Sequence, residues 1–150
     1  MKEMLRIWKS LHQTGYCEGI EISQEIRDSW ARCKEYGVDP FKPRCEIILT
    51  PDELEERRNQ NKALMEQGTS MIEHLNHFIK KHDFLFFLQD CDNYVLSRTG
   101  NKEALEFAAI ANLIEGSNWS EQVMGTNTGS MAIVSETPVQ FFGYENYCRV

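Results

Sequence analysis

The stretch WSEQVMGTNTGSMAI, Trp119–Ile133, decides the fold because it combines three segments of different character within a short length. It opens on a large aromatic residue and an acid, passes through a Gly-Thr-Asn turn, and continues as small and apolar residues. Asn127 is a favourable helix N-cap, so a small-residue helix is predicted from about 127 to 134. The segment PVQFFGYENY that follows, Pro138–Tyr147, predicts a β-strand.

Upstream of this stretch, an apolar pattern and two capping signals predict three helices. A short apolar pattern predicts one within Met1–Ile22. Ser23 can cap a second helix that ends near Tyr36, before Gly37. The sequence Thr-Pro-Asp-Glu at Thr50 combines a capping box with proline at the first helical position. We therefore predict a long helix over Thr50–Lys81, with its apolar stripe diluted midway by Asn61 and Gly68.

Two strands and a further helix are predicted between the long helix and Trp119. The continuous apolar run within Asp83–Gln89 predicts a central strand that is buried on both faces. Turn residues at Asp90–Asn93 and a second strand at Tyr94–Arg98 complete a hairpin. Asn101 can cap a helix that reaches about Leu113. The order of helices, hairpin, helices and strand predicts an α+β fold.

Composition excludes several classes of protein. The chain has 150 residues, 41% of them hydrophobic, and a formal net charge of −7, whereas a DNA-gripping domain is normally basic. No secretion signal or membrane-spanning run is recognised. The five cysteines form no Cys-x-x-Cys pair, which is typical of free thiols in a reducing cytosol. We expect a cytoplasmic protein without direct contact to nucleic acid or membrane.

These motifs resemble the sensory GAF domain at the N-terminus of bacterial sigma-54-dependent transcriptional activators, in the branch that regulates acetoin and dihydroxyacetone catabolism. That branch carries Trp-Ser-Glu, then Gly-Thr-Asn, then Pro-Val and Gly-x-Glu, as Trp119–Ile133 and Pro138–Tyr147 do here. Its opening Ser-Trp-x-Arg-Cys helix is matched within Ile26–Cys33, and its next helix within Ile48–Asn61. The similarity runs in order from about Ser23 to Tyr147.

The resemblance implies an α+β, GAF-like antiparallel sheet with flanking helices, truncated before its last strands. It divides the chain into an N-terminal helical segment, 1–49, and a partial sensor domain, 50–150. By resemblance, a small metabolite binds and controls a downstream ATPase module, with DNA-binding modules elsewhere in the full-length regulator. The chain is expected to be a homodimer, with the Thr50–Lys81 helix as the dimer element. Neither an enzyme activity nor a cofactor is implied.

Candidate ligand-binding residues come from the same motifs. They are Trp119, Glu121, Thr126, Asn127, Phe86 and Glu145. In the functional interpretation a tryptophan walls a small pocket and a few polar side chains orient the metabolite, which is how small-molecule sites are usually built. In the structural interpretation Asn127 caps a helix and Thr126 satisfies turn amides. Strand alternation alone cannot decide whether Phe86 faces the ligand side of the sheet.

Departures from the family pattern lie in the same region. Gly129 and Ser130 replace the family's Ile-Gly, Met131 replaces its threonine, and Asn146 replaces its histidine. The identity of the ligand therefore cannot be transferred. These departures favour a second hypothesis, a GAF-like module that has lost its ligand and serves for dimerisation or protein interaction.

Two further hypotheses rest on single residue types. A thiol-based redox sensor would use Cys33, Cys45 or Cys91, of which the first two have basic neighbours in the sequence. His74 and His77 are spaced to share one helix face, with His82 nearby, but we expect solvated histidines there and no metal site. The chain also lacks a phosphate-binding loop and a helix-turn-helix signature.

Overall fold

The computed structural model of the protein describes residues 2–79 and 84–149, without the side chains of 76–79. The helices are α1 (Lys2–Thr14), α2 (Gln24–Glu35), α3 (Pro51–Gln60), α4 (Lys62–Ile79), α5 (Lys102–Ile110), α6 (Glu121–Met124) and α7 (Thr128–Ser135). The strands are β1 (Leu85–Gln89) and β2 (Val95–Gly100), and a 3-10 turn covers Gly143–Glu145. The predicted α+β class is confirmed.

The described chain separates into two compact units. The first contains Met1–Lys42 and Ser120–Arg149, and the second contains Pro43–Trp119. The first unit therefore joins the two ends of the chain. The prediction instead divided the chain once, into residues 1–49 and 50–150, and this division stays a prediction.

The first unit is built around aromatic rings. Trp8 of α1 and Trp30 of α2 are buried, and the ring of His12 stacks on Trp30 with centroids 4.1 Å apart. The indole Nε1 of Trp30 donates to the carbonyl of Glu145 at 3.0 Å. The indole of Trp8 donates to the carbonyls of Asn146 (3.1 Å) and of the residue after it. The two N-terminal helices are thereby bonded to the backbone near 145–147.

The second unit contains the sheet. Strands β1 and β2 are antiparallel, with Leu85 opposite Gly100 and a register shift between Leu88 and Gln89. In the connecting turn, Asn93 has φ of 64°, a left-handed conformation that asparagine tolerates. Asp90 accepts hydrogen bonds from the backbone of this turn and forms an ion pair with Arg57 of α3. The predicted hairpin is confirmed.

Irregular segments extend the sheet beyond β2. Isolated bridges pair Tyr94 with Asn118 and Ile48 with Ser117. The amide of Trp119 donates to the carbonyl of Asn93 at 2.8 Å. The chain on either side of residue 117 is therefore held as an extra ladder beside β2, which fixes the position of Trp119.

The two faces of β1 carry different helices. A Cβ placed on Gly68 of α4 would lie 2.4 Å from the side chain of Leu88, so α4 packs on the face that Leu88 occupies. Leu85 shares a cavity with α5. Because side chains alternate along a strand, Leu85 and Leu88 point to opposite faces. The sheet therefore lies between α4 and α5.

The long predicted helix is interrupted. It forms two helices, α3 and α4, with Asn61 between them in a non-helical conformation of φ −106° and ψ 30°. The side-chain amide of Asn61 donates to the carbonyl of Arg57 at 2.9 Å, which favours the break because it satisfies a carbonyl at the end of α3. The predicted start is confirmed, with the capping box of Thr50 and Glu53 formed. Residues 80–83 lie outside the described part of the chain.

Two strand predictions were wrong in detail. Strand β1 is not buried on both faces, because Phe84 and Phe87 are 43% and 37% exposed and β2 is its only strand neighbour among the described residues. The segment 138–147 is not a strand. There the carboxylate of Glu145 accepts from the amide of Phe142 and closes a 3-10 turn, while the two buried indoles take the backbone carbonyls that a strand partner would need.

Candidate ligand site

A cavity of about 480 Å³ lies in the second unit. Its size falls in the range of small-molecule sites. The lining consists of Leu85, Glu103, Ala104, Phe107, Ala108, Ala111, Leu113 and Trp119. Seven of these eight side chains are apolar or aromatic, and the single charged residue is a glutamate. The cavity therefore offers an apolar interior with one acceptor for hydrogen bonds or for a positive charge.

Helix α5 makes this space by presenting small side chains. Ala104, Ala108 and Ala111 recur at intervals of four and three, so they share one face of the helix and its extension. Asn101 caps the helix by accepting from the amide of Ala104 at 2.8 Å. The cap fixes the start of the helix and thereby the direction of this alanine face. Glu103 follows in the first turn, where a negative charge suits the helix dipole.

Trp119 is part of the cavity wall and is held rigidly. Its side chain is buried, and its indole Nε1 donates to the hydroxyl of Ser117 at 3.0 Å. Ser117 is itself fully buried and donates to the carbonyl of Ile114. Trp119 therefore offers the cavity an aromatic surface while its N–H group is engaged by the protein. Its predicted role in ligand binding stays a prediction.

Phe86 lies on the other face of the sheet from the cavity. Phe86 and Leu88 are two residues apart on β1, so their side chains point to the same face. Leu88 packs on α4, whereas Leu85 points to the opposite face and lines the cavity. Its ring contacts that of Phe84, with centroids 6.2 Å apart. This position associates Phe86 with the α4 layer, a choice that the sequence pattern left open.

Glu121 lies in the first unit, at the start of α6, and its carboxylate is buried. Arg32 of α2 donates to both carboxylate oxygens, at 2.7 and 2.9 Å. Ser29 donates to the same carboxylate at 2.5 Å. A bidentate pair with an added hydroxyl satisfies the charge that burial would otherwise penalise. These contacts connect α2 to α6 without any ligand.

Thr126 and Asn127 continue this network. The hydroxyl of Thr126 is fully buried and lies 2.6 Å from that of Ser29 and 3.3 Å from the sulfur of Cys33. Asn127 caps α7 by accepting from the amide of Ser130 at 3.0 Å. The predicted helix cap by Asn127 is present, whereas the hydroxyl of Thr126 contacts side chains of α2 instead of the turn amides that were predicted. A ligand role for these residues stays a prediction.

Two further residues of the motif close the same region. Gly125 has φ of +67°, and a Cβ there would lie 2.6 Å from the ring of Tyr147, so both the conformation and the space require glycine. Glu145 is buried and uses its carboxylate in the 3-10 turn described above. The predicted site residues therefore fall in both units, with Trp119 and Phe86 in one and Glu121, Thr126, Asn127 and Glu145 in the other.

The sequence prediction missed most of the cavity. Glu103 and the alanine face of α5 were not selected, although the spacing of the alanines is visible in the sequence. Small residues on an amphipathic helix usually allow close packing, so this signal does not by itself distinguish a cavity from a helix contact. The distinction depends on which face of β1 the helix covers, which is a tertiary property.

Burial decides the chemistry of two thiols. Burial raises the pKa of Cys33, an effect only partly offset by its contact with Thr126. Burial also raises the pKa of Cys148 to about 12. Both stay thiols near neutral pH, and the thiolate is the reactive form. Cys45 is also buried, whereas Cys91 is exposed.

No metal-binding cluster of His, Cys, Asp or Glu occurs among the described residues. His74 has its Nδ1 2.6 Å from the carbonyl of Ser70 on its own helix. The side chain of His77 and all of His82 lie outside the described residues. Within the described ranges, no helix combines the length and apolar character needed to cross a bilayer.

The chain is similar in sequence to bacterial regulators. It is 29% identical over 143 residues to the acetoin dehydrogenase operon transcriptional activator AcoR of Bacillus subtilis strain 168, a match that covers 95% of this chain and 24% of that protein. It is 29% identical over 125 residues to a signal-transduction and transcriptional-control protein of Clostridium beijerinckii, covering 83% and 20%. No protein-family model matches the chain.

The fold has a counterpart among solved structures. A chain of the E. coli DhaR(N)–DhaL complex superposes with a TM-score of 0.79 at 20% identity, covering 84% of this chain and 43% of that chain. The two regulators named above are matched over about a quarter or less of their length. Both are named as regulators and neither as an enzyme, in agreement with the expectation that this chain is not a catalyst. The chain is therefore similar, in sequence and in fold, to the sensory domain of bacterial transcriptional activators.

Proposed function

We propose that this chain is the signal-sensing part of a cytoplasmic, sigma-54-dependent transcriptional activator, and that a small molecule binds in the cavity between β1 and α5. The observation that supports this most strongly is the cavity itself, because its volume and its mainly apolar lining beside Trp119 are those of small-molecule sites. The similarity to AcoR supports the regulatory context.

The regulatory step is a shift between two states of the sensor. A ligand changes the activity of a downstream ATPase module only to the extent that it binds one state more tightly than the other. In this chain the cavity is bounded by α5, by β1 and by the segment that leads to Trp119. A ligand that contacts all three would favour one arrangement of the second unit.

A thermal-shift screen tests the proposed binding. The library should contain hydroxyketones, short diols, aliphatic and aromatic amines, and carboxylic acids. We expect at least one class to raise the melting temperature, and we expect Ala108→Leu to abolish the increase because Ala108 is buried in the cavity wall. The matched control is Ala109→Leu on the exposed side of the same helix. A library without any stabilising compound would argue against the sensor proposal.

A homodimer is the second part of the proposal. Leu64, Met71 and Leu75 share one flank of α4 and are all exposed, Met71 by 62%. Their spacing of seven and four residues is that of a helix-packing stripe. We propose that this stripe packs against its equivalent in a second copy. It also favours the hypothesis in which the domain serves as an interaction module without a ligand.

The name of the similar structure includes a second protein, DhaL. A protein partner for this chain is consistent with the exposed apolar side chains of α4. The dimer and the heterologous complex are separated by the mass of the isolated protein, because only the dimer forms without a partner.

A further inference from the structure

We propose that the ligand of the cavity is a compact, mainly apolar molecule that carries one cationic or hydrogen-bond-donating group, and that Glu103 receives this group. The inference rests on the proposed sensor function and specifies its ligand class. It differs from the small polar metabolite that the sequence resemblance implies. The polar atoms that the cavity offers, and those that it lacks, determine this ligand class.

The cavity walls supply few polar partners. Three alanines, two leucines and a phenylalanine contribute no polar side-chain atom. The indole N–H group of Trp119 donates to Ser117. Each polar group of a polyhydroxylated or carbonyl compound that these side chains cover without a partner would cost roughly 1–3 kcal/mol. The apolar surface is instead complementary to hydrocarbon or an aromatic ring.

Glu103 is the exception in the lining, and it sets the sign of the charge that the cavity accepts. It is an exposed residue at the first turn of α5 and belongs to the lining of the cavity. No hydrogen bond or ion pair to it is found among the described residues, whereas Glu106 on the same helix lies 3.8 Å from Lys102. An anionic ligand would meet this carboxylate and no basic residue in the lining, so phosphorylated compounds and carboxylic acids are disfavoured relative to cations.

Trp119 presents a fixed aromatic surface to the cavity, and such a surface is complementary to an aromatic or cyclic body of the ligand. Trp119 is fixed by its indole hydrogen bond and by its backbone bond to Asn93. Phe107, another residue of the lining, is 73% exposed. Burying part of this ring with a ligand would remove apolar surface from water, which is favourable by about 25 cal/mol per Å².

A matched series of ring compounds tests the proposal by isothermal titration calorimetry on the 150-residue protein. Benzylamine, benzyl alcohol and benzoate share one ring and differ in charge, and methylamine lacks the ring. We expect benzylamine to bind most tightly, benzyl alcohol about two- to fivefold more weakly, and benzoate more weakly still, by a further factor of similar size. Methylamine should bind more than about a hundredfold more weakly than benzylamine, because it forfeits the burial of the ring carbons.

Two substitutions assign the binding to this cavity. Glu103→Gln keeps the shape of the side chain and should weaken benzylamine about two- to fivefold, the effect expected for a partly exposed ion pair. It should leave benzyl alcohol nearly unchanged. Glu106→Gln is the matched control on the same helix and should alter neither. Ala108→Leu should abolish binding of both compounds, with circular dichroism to show that the variant remains folded. If it unfolds, Ala104→Leu repeats the test from the first turns of α5.

The outcomes separate this inference from the sensor proposal. Equal binding of benzylamine and benzoate, or no effect of Glu103→Gln, would overturn the assigned charge. Binding of acetoin, a small hydroxyketone, in place of the ring compounds, with Ala108→Leu blocking it, would overturn the ligand class and leave the sensor proposal intact. Absence of binding by the ring series and by every compound in the thermal-shift library would overturn both.

Discussion

At the scale of single residues, Glu121 carries the buried charge of the sequence motif. Its carboxylate accepts three hydrogen bonds, one from the hydroxyl of Ser29 and two from the Nε and Nη2 groups of Arg32. It is 5% exposed, whereas Arg32 is 35% exposed. The pair therefore combines a buried acceptor with a donor that still reaches water, so the guanidinium bears only part of the desolvation cost of a fully buried pair.

We predict that Glu121→Gln lowers the free energy of unfolding of the first unit by about 2–3 kcal/mol, because Arg32 loses its buried counter-charge. Urea unfolding followed by tryptophan fluorescence measures this, since two of the three tryptophans lie in that unit. Glu18→Gln, on an exposed loop, is the control and should change little. An effect no larger than that of the control would show that the ion pair does not stabilise the contact of α2 with α6.

His12 makes stability depend on pH. Burial, with a smaller contribution from the charge of Lys34, lowers the pKa of His12 to about 4. Its ring is stacked on Trp30, and its Nε2 has no hydrogen-bond partner among the described residues. Since the unfolded chain binds this proton at an ordinary pKa near 6.5, the unfolded state holds more protons between about pH 4 and 6.5. Stability therefore falls as the pH falls through that window.

We predict that His12→Phe reduces this pH dependence by up to about 1.4 kcal/mol per pH unit, the value for one proton. Phenylalanine keeps the ring stacking and removes the titrating group. The measurement is the free energy of unfolding from about pH 7 to pH 4.5, a range that spans most of the window, with His74→Gln on the exposed side of α4 as control. Identical slopes for His12→Phe and the parent protein would contradict the assignment.

At the scale of elements, local signals predicted helix starts well because each one involves neighbouring residues. Thr50 with Glu53, Ser23 and Asn101 cap the helices that the sequence assigned to them. The prediction for the segment 138–147 was wrong because its backbone partners are the indoles of Trp8 and Trp30, more than a hundred residues away in sequence. Alternation along such a segment carries no information about distant donors.

The contact between α4 and β1 gives a prediction at this scale. A methyl group on Gly68 would lie 2.4 Å from the end of the Leu88 side chain. Gly68→Ala should gain about 1 kcal/mol of helix propensity and lose about 1–3 kcal/mol to overpacking, so we expect a net loss.

A double-mutant cycle isolates this contact. With Leu88→Ala in place, Gly68→Ala should no longer destabilise and should stabilise through its helix propensity. Thermal unfolding of the four proteins measures the coupling. Additive effects would mean that the two residues do not pack against each other and that the assignment of β1 faces is wrong.

The position of the cavity also belongs to this scale. The sequence predicted Trp119 and the strand, but not which parity of β1 faces α5. Gly68 decides it, because its missing side chain accommodates Leu88 and leaves Leu85 on the other face. From the sequence alone, either Phe86 or Leu85 could have faced the ligand side of the sheet. The predicted ligand-binding residues were chosen mainly from a polar motif, whereas the cavity is lined mainly by alanine and leucine.

At the scale of the whole molecule, the exposed stripe of α4 predicts the state of association. Met71→Glu places a charge at its centre, and we expect it to convert a dimer into a monomer, because an unpaired charge in an apolar contact is costly. Size-exclusion chromatography with light scattering measures the mass. Thr69→Glu, on a different side of α4, is the control and should remain dimeric. Equal masses for the parent protein and Met71→Glu would contradict the dimer proposal.

The two units of the molecule carry different features. Buried polar contacts in the first unit connect α2 to Glu121 and to Thr126 of the Gly-Thr-Asn turn, and the second unit contains the cavity. The polar residues Glu121, Thr126 and Asn127 of the motif make structural contacts, and in our proposal the alanine face of α5 binds the ligand together with Trp119. Together with the similarity to transcriptional activators, this division supports a sensory module whose signal enters through the second unit.

Chemical-shift mapping of the nitrogen-15-labelled protein decides between the alanine face and the polar motif as the binding site. Titration with the strongest binder from the thermal-shift library should perturb the amides of Ala104, Ala108 and Ala111 together with the indole N–H of Trp119. The amides of Thr126 and Asn127 should stay unperturbed, and Ala108→Leu should remove the response. A response centred on Thr126 and Asn127, with the alanine amides silent, would contradict binding in the cavity and restore the polar motif as the binding site.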